Sequence, residues 1–157
     1  MAWEKVKEYL TDKGFGERFA IHEASCATVP LAAAAVGCDE AQIAKTITFL
    51  LEDKPLAVVC AGDAKVKNSK YKAKFGKKPV MIPFEQVEDL IGHAPGGVCP
   101  FALKAEVAVY LDESLRRFTD IWSAGGSENS TVHLSPEELA QIANMKEWVD
   151  VCGGWNE

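Results

Sequence analysis

Hydrophobic residues along the chain follow two periods, one typical of helices and one typical of strands. Near the N-terminus Trp3, Val6, Tyr9 and Leu10 recur at helical spacing, and Gly14 ends that stretch. Two apolar, β-branched runs, 46–51 and 56–61, flank a polar, turn-like segment and predict a hairpin of core strands. Shorter runs predict further strands at 19–22, 80–82, 105–111, 120–124, 130–134 and 147–151.

Capping residues mark where several helices begin and end. Thr28 is a candidate N-cap for an alanine-rich helix that stops at Gly37, and Asp39 opens a second short helix through a capping-box variant. Ser135-Pro136-Glu137-Glu138 combines an N-cap, a proline at the first helical position and a capping-box glutamate, and predicts a helix to about residue 144. Two more helices are predicted at 66–75 and 83–91.

Together these elements predict an α/β or mixed α+β fold with a central mixed sheet of about six or seven strands and helices packed on it. No repeat or linker divides the 157 residues, so we expect a single domain over 1–157. No apolar run approaches the length of a membrane helix, and the N-terminus lacks the apolar core of a signal peptide. Five cysteines without a C-x-x-C pair favour a reducing, cytoplasmic location over a disulfide framework.

Charge is distributed unevenly along the chain. The net charge of −6, from 17 basic and 23 acidic residues, argues against a nucleic-acid partner when taken alone. Residues 65–78, however, hold seven lysines and no acid, with Tyr71 and Phe75 four residues apart on one helical face. This lysine segment predicts either contact with a phosphate backbone or a solvated helix face, at about even odds.

Residues 92–101, Gly-His-Ala-Pro-Gly-Gly-Val-Cys-Pro-Phe, cannot form regular structure because they contain three glycines and two prolines. Glycine lets backbone N–H groups approach a ligand, and proline stiffens the path, so this loop is a candidate cradle for a carbonyl oxygen or oxyanion. An ordinary crossover loop explains the composition equally well. His93 and Cys99 within it suggest a base and a nucleophile, although a buried inert cysteine is the simpler interpretation.

Lys45 lies among apolar neighbours at the start of a predicted core strand. Its side chain either reaches the surface, which the pattern alone favours, or provides a fixed positive charge in a pocket for phosphate or carboxylate. The three histidines, His22, His93 and His133, show no metal-ligand spacing, and the sequence has no Walker loop or G-x-S-x-G motif.

The order of these features resembles the YbaK family, free-standing relatives of the editing insertion of bacterial prolyl-tRNA synthetase. Ala44-Lys45-Thr46 resembles the lysine-bearing strand of that family, and residues 58–63 resemble its apolar strand ending in Gly-Asp. Residues 96–101 match its G-x-x-x-P loop, and 123–126 with the strand 132–134 match its ending. The resemblance covers about residues 19–151, and the order and spacing of the short motifs make it specific.

The resemblance implies a trans-acting deacylase that hydrolyses a wrong amino acid, such as Cys or Ala, from the 3′ end of a tRNA, typically that for proline. It implies that loop amides bind the aminoacyl carbonyl, that Lys45 positions the terminal adenosine, and that water or a substrate hydroxyl or thiol attacks. No metal or cofactor is expected; mischarged tRNA and prolyl-tRNA synthetase are the expected partners. The catalytic set is Lys45, Gly96, Gly97, Val98, Cys99 and Pro100; the substrate-binding set is Thr46, His93, Phe101, Ser123 and Gly126; the tRNA-binding set is Lys65, Lys67, Lys70, Lys72 and Lys74.

Cys99 departs from this pattern, because relatives often have serine or threonine at that position. Two other functions stay open from the sequence. One is a non-catalytic module that senses an amino acid or an aminoacyl-tRNA in the same pocket. The other is a thiol enzyme built on Cys99, in which Cys99→Ser would abolish activity.

Overall fold

The computed structural model describes residues 2–155, and the predicted strands form one mixed sheet within it. Seven strands lie in the order β1-β7-β6-β2-β3-β5-β8, with parallel and antiparallel neighbours, and a separate pair joins β4 to β9. This confirms the mixed α/β class and the predicted strand number. The strands are β1 Phe19–Ile21, β2 Ile43–Leu51, β3 Lys54–Ala61, β4 Lys65–Val66, β5 Ala108–Asp112, β6 Ile121–Ala124, β7 Ser130–Leu134, β8 Glu147–Val149 and β9 Cys152–Gly153.

Helices cover the sheet, and their ends follow the predicted caps. The α-helices are α1 Ala2–Asp12, α2 Val29–Val36, α3 Asn68–Phe75, α4 Val87–Ile91 and α5 Pro136–Ile142, with 3₁₀ turns at Gly16–Arg18, Glu40–Gln42, Phe84–Gln86 and Glu113–Arg117. The Thr28 side chain accepts a hydrogen bond from the N–H of Leu31, and α2 ends at Gly37 in the left-handed conformation. Ser135 and Glu138 form the predicted capping box of α5.

The hairpin of β2 and β3 forms the centre of the core. Its two turn residues, Glu52 and Asp53, both have positive φ, as the tight two-residue hairpin turn requires. Ile47 pairs with Val58, and β3 is buried from its second residue onward. A strand buried on both faces loses the alternation of polar and apolar positions, which is why this one appears as a continuous apolar run.

The two faces of β2 contact different parts of the molecule. Successive side chains of a strand project to opposite faces, so Thr46 lies on the face opposite Phe49. The Tyr71 ring of α3 lies 5.0 Å from the Phe49 ring, and the Phe75 ring lies 4.6 Å from that of Tyr71. Helix α3, the core of the lysine segment, therefore packs on the Phe49 face, with both of its aromatic side chains directed at the sheet.

Several predicted boundaries are wrong, each for a local reason. Segment 80–82 is not a full strand: it makes one bridge, between Met81 and Phe49, and Pro83 follows it directly. The strand predicted at 105–111 begins only at residue 108, because a turn closes from Val107 N–H to the Lys104 carbonyl. The last predicted strand, 147–151, ends at residue 149 as β8, which joins the main sheet, and a short strand that was not predicted, β9 at 152–153, pairs with β4.

Within residues 2–155, none of the helices is long and apolar enough to cross a membrane. All five cysteines belong to the described residues and carry free thiols.

Candidate functional site

A cavity of about 270 Å³ lies where strands β2 and β6 separate. The two strands pair only at Ile43–Trp122 and Ala44–Ser123, and beyond this point residues of both line the cavity. Helix α2 and the glycine-proline loop complete the wall. The lining includes Cys26, Thr28, Val29, Ala32, Lys45, Thr46, Thr48, Pro95, Gly96, Val98, Trp122, Ser123, Ala124, Ser130 and Thr131.

The glycine-proline loop contains two backbone amides that have no acceptor among the described residues. Gly96 and Val98 both line the cavity, and among the hydrogen bonds of residues 2–155 neither N–H group has a partner. The N–H of Gly97 instead donates to the Ala94 carbonyl at 3.1 Å, which closes the turn between them. Gly96 and Val98 are partly exposed, so their unpaired N–H groups are accessible to a ligand oxygen.

The loop is held in place by close backbone packing against the turn between β6 and β7. A Cβ on Gly97 would lie 2.7 Å from the carbonyl carbon of Gly126 and from the nitrogen of Ser127. Only a glycine permits this approach. Gly126 itself has φ of 96°, a left-handed conformation that other residues rarely adopt.

Lys45 lines the cavity, and none of the described carboxylates lies within ion-pair distance of its ammonium group. Its Nζ lies 3.4 Å from the carbonyl oxygen of Gly62, to which it donates. The neighbouring carboxylate of Asp63 is occupied by Arg117 in a two-point contact of 3.0 and 2.6 Å, which lowers the pKa of Asp63. The positive charge of Lys45 is therefore available for an anionic ligand.

Three other predicted site residues lie in the core and do not line this cavity. His93, Cys99 and Phe101 are 1% or less exposed. His93 Nε2 lies 2.7 Å from the Phe101 carbonyl oxygen and 3.4 Å from Cys99 Sγ, and burial lowers the pKa of His93. Since the neutral ring donates to that carbonyl, His93 stabilises the loop from the side of the core.

Cys99 does not have the properties of a nucleophile. Burial raises the pKa of its thiol to about 12, so it stays protonated at neutral pH. The structure therefore argues against the alternative of a thiol enzyme built on Cys99. The cysteine that lines the cavity is Cys26, whose pKa is also raised by burial.

The remaining predicted residues divide between the first cavity and its neighbours. Thr46 and Ser123 line the first cavity. Gly97 and Gly126 line a second cavity of about 440 Å³ on the other side of Gly96, and Pro100 lines a third. The second cavity is also bordered by Trp3, Glu88, Ala94, Pro95, Ser127, Glu128 and Asn129.

The lysine segment is not gathered around the cavity. Its helix packs on the Phe49 face of the sheet, and three of its ammonium groups have acidic partners: Lys70 with Asp150, Lys74 with Glu147 and Lys77 with Glu52. Within the described chain, no acidic partner is found for Lys65, Lys67, Lys72 or Lys78.

Sequence reasoning missed several residues of the cavity wall, Trp122 and Thr131 among them. The Trp122 ring stacks on His133 with centroids 4.4 Å apart, and Thr131 Oγ1 lies 2.8 Å from His22 Nε2. No local motif marks these positions, because the wall forms only when β6 and β7 meet α2. No cluster of three or more His, Cys, Asp or Glu side chains within 2–155 is arranged to hold a metal ion.

Comparison with known proteins identifies the family to which the chain belongs. Residues 23–142 match the family described as the aminoacyl-tRNA editing domain. The chain belongs to this family. The resemblance noted from the Lys45 strand and the G-x-x-x-P loop is thus confirmed over more than half of the sequence.

Three relatives extend over most of the editing-domain chain. The uncharacterized protein YwhH of Bacillus subtilis is 40% identical over 156 residues, which are 99% of each chain. EbsC of Enterococcus faecalis, provisionally named a Cys-tRNA(Pro)/Cys-tRNA(Cys) deacylase, is 26% identical over 71% of this chain and 70% of its own. A crystal structure provisionally named a trans-editing enzyme for prolyl-tRNA synthetase superposes with a TM-score of 0.88 at 28% identity, covering 98% of both chains.

Proposed function

We propose that the protein is an aminoacyl-tRNA deacylase that acts in trans and hydrolyses mischarged tRNA, with tRNA for proline carrying Cys, Ala or a similar small amino acid as the expected substrate. The observation that carries this proposal is the first cavity, which is lined both by the two loop residues with unpaired amides and by a lysine that has no ion-pair partner among the described residues. The family and the names of EbsC and of the structural relative support it.

Hydrolysis of the ester needs stabilisation of the oxyanion that forms on the aminoacyl carbonyl. In our proposal this oxygen accepts hydrogen bonds from the N–H groups of Gly96 and Val98. Water attacks the carbonyl carbon, the bond to the ribose oxygen breaks, and that oxygen leaves with a proton as the 3′-terminal hydroxyl. Removal of one such donor typically lowers kcat by about 10²- to 10³-fold.

Lys45 supplies the charge that the nucleotide end of the substrate requires. An ammonium at the cavity wall, with only a carbonyl as partner, can bind the phosphate of the terminal adenosine. Gly62 fixes this arrangement, because a Cβ there would lie 2.0 Å from the carbonyl oxygen of Glu40. Gly62, in the Gly-Asp pair that follows β3, thus provides the carbonyl that orients Lys45.

The chemistry of the wall favours a small neutral amino acid. Apart from Lys45, every described residue that lines the first cavity is uncharged, and most are alanine, threonine, serine or valine. Discrimination by one methylene is worth only about 1–3 kcal/mol, so a synthetase that must reject small amino acids benefits from a second site that hydrolyses them. This is the role that we assign to the cavity.

The decisive experiment is a deacylation assay with tRNA for proline carrying alanine, cysteine or serine in turn. We expect the protein to hydrolyse at least one of these mischarged tRNAs. Lys45→Ala should lower kcat/KM by about tenfold or more, as loss of a charged contact does. Lys54→Ala is the matched control, because Lys54 is exposed at the first position of β3 and lines none of these cavities.

If no mischarged tRNA is cleared and Lys45→Ala changes nothing, the proposal is wrong. Thermal stabilisation by aminoacyl-tRNA without turnover would instead favour the non-catalytic sensing module on the same fold. The lysine segment stays a prediction for the tRNA contact; of its predicted tRNA-binding lysines, Lys65, Lys67 and Lys72 have no acidic partner within residues 2–155.

A further inference from the structure

The carboxylate of Glu128 lies over the loop that divides the first cavity from the second. A Cβ placed on Gly96 would be 3.1 Å from Glu128 Cγ and 3.3 Å from its Oε1. The backbone carbonyl of Glu128 accepts the N–H of Cys26, a residue that lines the first cavity. Glu128 therefore lines the second cavity next to Gly96, which lines the first.

No cation neutralises this carboxylate among the described residues, and no hydrogen bond to its oxygens is found there. The other acidic side chain of the second cavity, Glu88, adds negative charge on the same side. The Glu128 side chain is exposed, and an unpaired carboxylate beside a binding loop attracts a positively charged ligand group.

The aminoacyl ester of a tRNA carries one such group, the α-ammonium. A single carbon joins it to the carbonyl, so it must lie within a few ångströms of the amide that binds the carbonyl oxygen. When the carbonyl oxygen is bound at the Gly96 N–H, two substituents of the α-carbon remain to be placed. In this arrangement the small side chain enters the first cavity, and the α-ammonium points to Glu128.

We infer that Glu128 recognises the α-ammonium of the aminoacyl group and so makes the site selective for substrates with a free amino group. This inference rests on the proposed deacylase function. It follows that the protein discriminates against N-acylated aminoacyl-tRNA, because an amide nitrogen carries no charge and presents one N–H donor.

The test crosses two substrates with three proteins. The substrates are one mischarged tRNA that the wild type clears, with its amino group free or N-acetylated. The proteins are the wild type, Glu128→Gln, which keeps the shape over Gly96 but removes the charge, and Glu85→Gln, an equal change of charge at an exposed glutamate outside both cavities. The crossed design separates loss of the charge contact from a steric effect of the acetyl group.

For the wild type we expect kcat/KM to be about tenfold higher on the free amine than on the acetylated substrate, the size expected for one charge-assisted contact. Glu128→Gln should lower kcat/KM on the free amine by about the same factor, leave the acetylated substrate unchanged and so abolish the preference. Glu85→Gln should keep it. The inference is overturned if Glu128→Gln lowers kcat/KM equally on both substrates, or if this variant keeps the preference for the free amine.

A second measurement keeps this test independent of turnover. An amide-linked aminoacyl-adenosine, which cannot be hydrolysed by this route, is titrated in both its free and its N-acetylated form into wild type and Glu128→Gln. Selective loss of affinity for the free amine in Glu128→Gln supports the ammonium contact, and equal affinities contradict it. If wild type hydrolyses no mischarged tRNA, the proposed function fails, while this titration still decides the role of Glu128.

Discussion

Substituting Gly97 by alanine tests whether the loop geometry, rather than a side chain, carries the activity. The new Cβ would lie 2.7 Å from Gly126 C and from Ser127 N, and 2.8 Å from Ser127 Cα. All three atoms belong to the backbone of the turn between β6 and β7, so no flexible side chain can move aside. Ordinary contacts begin near 3.4 Å, and the loop and the turn must therefore separate by about 0.7 Å.

This displacement has two separable costs. Overpacking of this kind destabilises a fold by about 1–3 kcal/mol, which lowers the Tm of a domain of this size by about 2–12 °C. The same shift moves the amides of Gly96 and Val98 away from the ester carbonyl. Because a misplacement of about 1 Å costs about 10²-fold in rate, we expect Gly97→Ala to lower kcat/KM by about 10- to 100-fold.

The assay is single-turnover deacylation of a mischarged tRNA, with Tm measured on the same samples. Gly16→Ala is the control, because its Cβ would lie 2.4 Å from Thr11 Oγ1 in a part of the fold that lines neither the first nor the second cavity. We expect it to lower Tm without lowering the rate per folded molecule. Wild-type kinetics in Gly97→Ala, or a loss of rate no larger than that in Gly16→Ala, would refute the reasoning.

Three further predictions follow from other parts of the structure. Cys99→Ser should retain deacylation, and Cys99 should resist alkylation at pH 7 while the partly exposed Cys38 reacts faster, as measured by mass spectrometry; rapid labelling of Cys99 would contradict its burial. Arg18 lowers the pKa of Glu138, so this contribution to stability is complete at neutral pH and is lost as pH falls through the folded pKa of the carboxyl. The Tm of Glu138→Gln should accordingly lie below that of wild type at pH 7, by the equivalent of about 1 kcal/mol, and the difference should shrink as the pH falls through the folded pKa of Glu138; a constant difference would exclude the ion pair as its source. Combined Lys65→Ala, Lys67→Ala and Lys72→Ala should raise KM for tRNA and reduce its salt dependence, whereas an unchanged dependence would show that the lysine segment is a solvated face.

Local signals in the sequence predicted the elements that local physics determines. The capping box at Ser135, the Thr28 cap and the hairpin of β2 and β3 each depend on residues close in the chain, and each is present. The motif around Lys45 also led to the cavity, because a lysine in an otherwise apolar strand needs a reason to be there.

Long-range placement could not be predicted in the same way. Tyr71 and Phe75 do share a helical face, but whether that face meets solvent or the sheet depends on where the chain returns after β3, and it meets the sheet. The sequence likewise cannot distinguish Gly97, whose N–H donates to a carbonyl in a turn, from its neighbours Gly96 and Val98, whose N–H groups have no partner in the part of the chain that the structure describes. Hydrogen-bond partners chosen by tertiary packing leave no periodic pattern.

The placement of His93 leads to a statement about pH. Because burial disfavours the charged imidazole, the pKa of His93 is lowered, and its hydrogen bond to Phe101 is unchanged across the neutral range. None of the described residues that line the first cavity is a histidine or a carboxylate, so neither of the usual general bases for neutral pH lies there. The free α-amino group of the aminoacyl ester itself titrates near neutral pH, so this measurement uses the N-acetylated substrate. Its catalysed rate, after subtraction of spontaneous hydrolysis, should rise with pH from about 7 to 8 as the hydroxide concentration does, without a plateau. A bell-shaped profile on this substrate with an apparent pKa near neutrality would show that a side chain transfers the proton, and the roles given to the Gly96 and Val98 amides would then describe only part of the mechanism.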